Sequence, residues 1–101
     1  MEYQLVLQFA ADSIPDFDRL VALETTLIEK LSDIAIVDGH DFGLGKFNIF
    51  VLTNDPFAAF TEARQIVLNE AIPNELQSAY RKMDAENYVT LWPSSLSDFS
   101  L

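Results

Sequence analysis

Cysteine is absent from the 101 residues, which excludes disulfides and thiolate metal sites. This absence favours a cytoplasmic location, and the first residues lack the basic start and the apolar stretch of a secretion signal. No apolar run approaches the roughly 18 residues that a membrane span needs. Histidine occurs once, so any metal site would be dominated by oxygen ligands suited to Mg²⁺, Ca²⁺ or Mn²⁺.

Basic residues are scarce as well. Lys and Arg total 6 against 16 Asp and Glu, which gives a net charge of −10. Nucleic acids and anionic membranes require a basic surface, so this charge argues against both as ligands. It favours a basic protein partner or a cation. An acidic surface also serves solubility alone, so the charge does not by itself establish a partner.

Apolar residues make up 50% of the chain, enough to bury the core of one domain. They alternate with polar residues in some segments, as in half-buried strands, and recur at helical spacing in others. The predicted elements are a strand at 3–9, a helix at 16–33, a strand at 34–37, a strand at 47–53, a helix starting at 54–56 with an apolar face to 71, and a strand at 88–92, which a further strand at 79–83 could precede.

This order predicts an α+β fold of the ferredoxin-like βαββαβ type, an antiparallel sheet with two helices on one face. We expect a single domain over residues 1–93 and a serine-rich C-terminal tail over 94–101. Both faces of the strand at 47–53 are apolar, which indicates a cover on the open face of the sheet. Either the tail or a second subunit in a homodimer would provide that cover.

Residues 37–45 contain all three glycines, the only histidine and two carboxylates. We expect residues 38–46 to form the long connection of a hairpin, in which the glycines Gly39, Gly43 and Gly45 supply the turn geometry. Three interpretations remain open: a structural turn, a recognition loop, and a catalytic or metal site. The residues of the recognition loop would be Asp38, His40, Asp41, Phe42 and Lys46. Lys46 could pair with either aspartate.

Glu24 falls within the apolar stripe of the first predicted helix. A buried carboxylate costs several kcal/mol unless it is paired or hydrogen-bonded. Arg64 lies within the apolar arc of the second helix, which suggests a buried Glu24–Arg64 ion pair. Two alternatives stay open: both side chains could extend to water, or Glu24 could pair with His40 across the seam between helix and sheet.

An enzyme built on these residues would combine Glu24, Asp38, His40 and Asp41 in an acid–base or metal cluster. Glu24 and His40 are then the catalytic candidates. The glycine spacing matches no nucleophile elbow, phosphate loop or dinucleotide fingerprint, so no cofactor is predicted. A non-enzymatic role is therefore favoured.

The stretch from Val37 to Phe50, followed by Thr53-Asn54-Asp55-Pro56, resembles a segment of small, largely uncharacterised bacterial proteins, some of them of the toxin-immunity type. Ala79-Tyr80-Arg81 and Leu91-Trp92-Pro93 are also similar to that group, so the resemblance covers about a third of the chain. It implies a compact α+β fold and a partner-binding role, and supplies no catalytic residue. We therefore expect a non-catalytic acidic protein-binding domain, an immunity-type inhibitor of a basic partner. The alternative is a small enzyme or a divalent-cation-binding domain.

Overall fold

The computed structural model describes residues 1–101. Five strands form one antiparallel sheet in the order β2-β3-β1-β4-β5, and two helices pack on one face of it. The elements are β1 (Tyr3–Ala10), α1 (Ile14–Lys30), β2 (Ala35–Gly43), β3 (Lys46–Thr53), α2 (Pro56–Asn69), β4 (Leu76–Lys82) and β5 (Val89–Trp92). Neither helix combines the length and the apolarity that crossing a membrane requires.

The predicted α+β class is confirmed, but the six-element ferredoxin-like order is not matched, because the sheet has a fifth strand. The last part of the chain forms two strands rather than one. β4 begins at Leu76 and pairs with β1, and β5 then pairs with β4. Pairing along β1 holds Leu76 opposite Phe9, so tertiary contacts start this strand three residues before the sequence pattern does.

The core lies between the helices and one face of the central strands β1 and β3. Alternate residues of these strands point toward the helices, and each is essentially inaccessible to water. They are Leu5, Leu7 and Phe9 from β1, and Phe47, Ile49 and Val51 from β3. Burial of each such side chain contributes roughly 1.5–3 kcal/mol, so this layer holds the sheet and both helices together.

The helix boundaries follow from capping. The Ser13 hydroxyl caps α1, and the Asp55 carboxylate accepts two N–H groups of the first turn of α2, at 3.1 Å each. The end of α1 differs from the sequence pattern, which continues to residue 33. It ends at Lys30 because the Leu31 carbonyl accepts the N–H of Ala35 at 2.8 Å and turns the chain into β2.

The predicted long loop between β2 and β3 is wrong, because a tight turn joins the two strands. β2 continues to Gly43, and only Leu44 and Gly45 connect it to β3. Their φ angles are +54° and +76°, as a type I′ turn requires. This turn twists in the same sense as the paired strands, so pairing can continue to the end of the hairpin.

A bulge interrupts β2 near its middle. The pairing register with β3 shifts between Val37 and His40. Gly39 lies in this bulge with a φ of +99°, a conformation that side chains disfavour. Gly43, in contrast, occupies ordinary extended backbone. Of the three glycines predicted to shape a turn, Gly45 therefore lies in the turn and Gly39 in the bulge, whereas Gly43 has neither role.

The C-terminal tail lies against the sheet face opposite the helices. Val6 is on that face and is fully buried. The neighbouring Gln8 donates from Nε2 to the Ser100 carbonyl at 2.9 Å. Phe99 packs edge-on against Tyr88 with ring centroids 5.3 Å apart. The tail therefore covers the centre of this face within a single chain.

A polar network joins the start of α1, the end of β1 and the loop between α2 and β4. The Arg19 guanidinium donates to the Asp16 carboxylate at 2.9 Å and to the Asn74 side chain at 3.2 Å, and Asn74 donates in turn to the Ala10 carbonyl at 2.7 Å. Hydrogen bonding from Asn74, and next from the Asp12 backbone, lowers the pKa of the Asp16 carboxyl group. Folding thus favours the ionised form of Asp16.

We expect Gly45→Ala to lower the free energy of unfolding by about 1 kcal/mol, because alanine is strained at a φ of +76° although space for its Cβ is free. Gly43→Ala is the matched control, since its Cβ also meets nothing and its φ is ordinary. Leu44→Asn should have the opposite sign, because asparagine tolerates this conformation. Urea unfolding measures all three, and equal losses for both alanine variants would contradict the assignment.

We expect Asp16→Asn to destabilise the protein at neutral pH and to have less effect in acid. Because the pKa of Asp16 is lowered on folding, its contribution is complete above the unfolded-state value of about 3.9 and is lost as pH falls through the lower folded-state value. Urea unfolding of both proteins between pH 7 and pH 2 tests this. A stability difference that grows as the pH falls would show the opposite linkage.

Candidate functional site

His40 lies on the helix-facing side of β2, in a cluster of aromatic rings. Beyond the bulge it pairs with Ile49, which points into the core. The imidazole stacks on Phe47, with centroids 4.7 Å apart and planes at 16°, and meets the edge of Phe17 at 6.0 Å. Phe42 contacts both phenylalanines, at 5.3 and 6.1 Å. These four rings, called the aromatic cluster below, hold the imidazole between α1 and the sheet.

Glu24 reaches His40 from α1. It lies two helical turns after Phe17, on the same face of the helix, and is 9% exposed. Its Oε1 is 2.8 Å from Nδ1 of His40, whose side chain is 29% exposed. A carboxylate only accepts hydrogen bonds, so Nδ1 carries the proton in this contact. The bond satisfies a carboxylate that the packing of α1 removes from water.

The predicted Glu24–Arg64 ion pair is wrong. The Arg64 guanidinium lies over the ring of Trp92, 4.1 Å from its centroid. The two helices pack over different parts of the sheet, α1 beside β2 and α2 toward β1 and β5. Glu24 and Arg64 therefore face opposite ends of the sheet, and each finds a partner on the strand beneath it.

Asp41 lies on the open face of the sheet, where it begins a ladder of hydrogen bonds. Its Oδ1 accepts from Nδ2 of Asn48 at 2.8 Å, and Oδ1 of Asn48 accepts from Gln8 at 3.0 Å. Gln8 also donates to the Ser100 carbonyl. Asn48 and Gln8 are only 4% and 5% exposed. This polar ladder crosses β2, β3 and β1 and ends on the tail.

Lys46 pairs with neither of the aspartates proposed for it. Its Nζ donates to the Ser100 carbonyl at 3.3 Å, beside Gln8. Asp38 lies in the bulge, is exposed, and has no salt bridge. The negative charge of Asp38 is therefore displayed at the surface.

The predicted cluster of Glu24, Asp38, His40 and Asp41 is not assembled. Only Glu24 and His40 meet, and no group of three or more His, Asp or Glu side chains is arranged to hold a metal ion. The reason is geometric, because His40 and Asp41 are consecutive in a strand and point to opposite faces of the sheet. The Glu24–His40 pair can orient an imidazole, and it supplies only two of the six or more ligands that Ca²⁺ takes.

The sequence pattern did not reveal several residues of the aromatic cluster and of the polar ladder. Phe17 had a usable signal, since it precedes Glu24 by two helical turns. Gln8 had one as well, because the alternation of β1 places it opposite the apolar face. Asn48 shared that signal through the alternation of β3, whereas Ser100 had none, because its partners Gln8 and Lys46 are distant in the chain.

No protein-family model and no curated protein matches this chain. The resemblance to toxin-immunity proteins therefore stays a prediction.

We expect His40→Phe to lower the free energy of unfolding by about 1–3 kcal/mol, because it keeps a ring in the aromatic cluster but leaves the Glu24 carboxylate without its donor. The double variant His40→Phe, Glu24→Met should recover most of this loss, since an apolar pair needs no hydrogen bond. Urea unfolding of the wild type, both single variants and the double variant completes the cycle. A His40→Phe variant as stable as wild type would show that the bond contributes nothing.

Proposed function

We propose that this chain is a non-catalytic protein-binding domain whose contact surface is the outer side of β2 and the adjoining turn. The supporting observation is a set of exposed apolar and acidic side chains along that edge strand, in which Ile36 and Asp41 project from the open face of the sheet and Phe42 from the helix side. Ile36, Phe42 and Leu44 are 54%, 43% and 97% exposed, and Asp38 and Asp41 are exposed between them. These five residues are the β2 surface. Exposed apolar groups bordered by charge are typical of protein contact sites.

The charge distribution favours a basic partner. The net charge is −10, and four of the six basic side chains bind groups within the chain, Lys46 among them through the Ser100 carbonyl. Arg19 binds Asp16, Arg64 covers Trp92, and Arg81 donates to Gln4 and to backbone carbonyls. Asp38 has no cation beside it. An uncompensated acidic surface accelerates encounter with a basic protein and disfavours acidic ones.

Contacts within the chain fix the position of β2 without any partner. The two-residue turn, the aromatic cluster and the Glu24–His40 bond all hold β2 in place. A contact surface that is already fixed loses little conformational entropy on binding. The Glu24–His40 pair thus acts as a positioning element for the β2 surface.

An immunity-type inhibitor is the specific form of this proposal. The residues that carry the resemblance, from Val37 to Phe50, include most of the β2 surface. Such an inhibitor would cover a basic surface of its partner with acidic and apolar groups. A cytoplasmic location fits this role and the absence of cysteine.

We also propose that the fold is a ferredoxin-like core extended by one strand. The support is the order β2-β3-β1-β4 within the sheet, with both helices on one face. β5 then adds to the free edge of β4.

A homodimer through the open sheet face is a second arrangement. Ile36, Phe50 and Leu52 lie on this face beyond the tail, each at least partly exposed. A molar mass of one chain by light scattering would exclude such a dimer.

Charge substitution tests the proposed surface. A partner captured from lysate at low salt and then identified should bind Asp38→Asn, Asp41→Asn about fivefold more weakly than wild type, because two exposed ion pairs are lost. The amide introduced at position 41 keeps an oxygen that can accept from Asn48. The control is Asp84→Asn, Glu86→Gln, which removes the same charge from the distant β4–β5 turn.

Titration calorimetry at increasing salt completes this experiment, because screening weakens exposed ion pairs. Affinity that is independent of salt, or an equal loss in the control variant, would contradict binding of a basic partner by the β2 surface.

A further inference from the structure

β2 is an edge strand nine residues long. Its single neighbour in the sheet is β3, so the backbone on its other edge has no strand partner. Such an edge is a template for another extended chain. The opposite edge is less suited to this, since β5 has only four residues and Pro93 follows its last residue, Trp92.

The turn geometry identifies the outward-facing backbone groups. A two-residue turn makes Gly43 and Lys46 a hydrogen-bonded pair, and such pairs alternate with non-bonded ones along an antiparallel ladder. His40 and Phe42 are then in non-bonded pairs, so their N–H and C=O groups point away from β3. Before the bulge, the N–H of Ala35 likewise points away from β3, toward the Leu31 carbonyl.

Acidic residues and a bulge on an edge strand commonly prevent unwanted pairing. On β2 they discriminate between partners. A second copy paired at this edge would bring its own Asp38 and Asp41 near those of the first, and like charges would repel. A basic strand would be attracted by the same charges. Charge therefore disfavours pairing of this edge with a second copy of the chain and favours pairing with a basic segment.

We infer that β2 accepts an extended basic segment of the partner as a sixth strand of the sheet. This inference rests on the proposed function and specifies how the partner is bound. The backbone of the segment would hydrogen-bond to His40 and Phe42. Main-chain bonds provide affinity in this mode, and alternate side chains provide specificity.

The two sides of β2 predict the side-chain pattern of the segment. Residues on the open-face side of the added strand would lie beside Asp41, which favours Lys or Arg there. Residues on the helix side would lie beside Phe42, which favours apolar side chains. The segment should therefore alternate basic and apolar residues.

A synthetic peptide of alternating lysine and valine, about seven residues long with blocked ends, is the probe. Two matched peptides serve as controls: one has glutamate for lysine, and the other has the lysine sequence with alternate backbone amides methylated on the edge that would face β2. ¹⁵N NMR on the full chain measures affinity and the amide hydrogen exchange of individual residues.

We expect the lysine peptide to bind at low salt and to slow amide exchange at His40 and Phe42. Methylation should weaken binding about tenfold or more, because two or three backbone hydrogen bonds are lost. Asp38→Asn, Asp41→Asn should weaken binding about fivefold, and Asp84→Asn, Glu86→Gln should leave it unchanged.

Two failures have different meanings. If both lysine peptides bind equally and exchange at His40 and Phe42 is unaltered, strand addition is overturned while the proposed preference for a basic partner stands. If the lysine peptide does not bind, or the glutamate peptide binds equally well, the strand-addition inference and the preference for a basic partner both fail.

Discussion

Positive φ angles at Leu44 and Gly45 close the β2–β3 hairpin in two residues, and the rest of the site depends on this closure. Because the turn fixes which residues of the two strands lie opposite each other, it also fixes which side chains of β2 lie beneath α1. His40 and Phe42 point toward the helix, and Asp41 points to the open face. A turn that was one residue longer would shift the register by one residue, and the side chains of β2 would exchange faces. The Glu24–His40 contact and the polar ladder would then both be lost.

Packing of α1 then makes the Glu24–His40 bond necessary. The helix cannot bury its apolar stripe without also burying Glu24, and an unpaired buried carboxylate costs several kcal/mol. The bulge at Gly39 brings His40 to the position where its Nδ1 meets that carboxylate. The pair is thus explained by folding, and it holds in place the strand that carries the β2 surface.

The two faces of the sheet are covered by different means. Two helices bury the apolar side chains of β1 and β3 on one face. On the other, the tail covers Val6 and binds the polar ladder through the Ser100 carbonyl. A polar ladder can be buried when all of its polar atoms have hydrogen-bond partners. No buried side-chain nitrogen or oxygen of this chain lacks one. The helices thus cover one face and the tail covers the centre of the other, while the outer backbone edge of β2 has no strand partner.

Local patterns in the sequence determined β1, β3 and the presence of the two helices, because alternation and helical spacing involve residues close together in the chain. Composition also determined the net charge of −10, on which the proposal of a basic partner rests. Only the tertiary structure decided that β2 continues to Gly43, that a fifth strand forms, that Arg64 covers Trp92, and that Glu24 meets His40. The extent of β2 is set by the positive φ angle of Leu44, a residue type that rarely adopts it, so the sequence pattern did not reveal the tight turn. The partners of Glu24 and Arg64 and the pairing of β4 are set by segments far apart in the chain, and no local pattern specifies which of them come together.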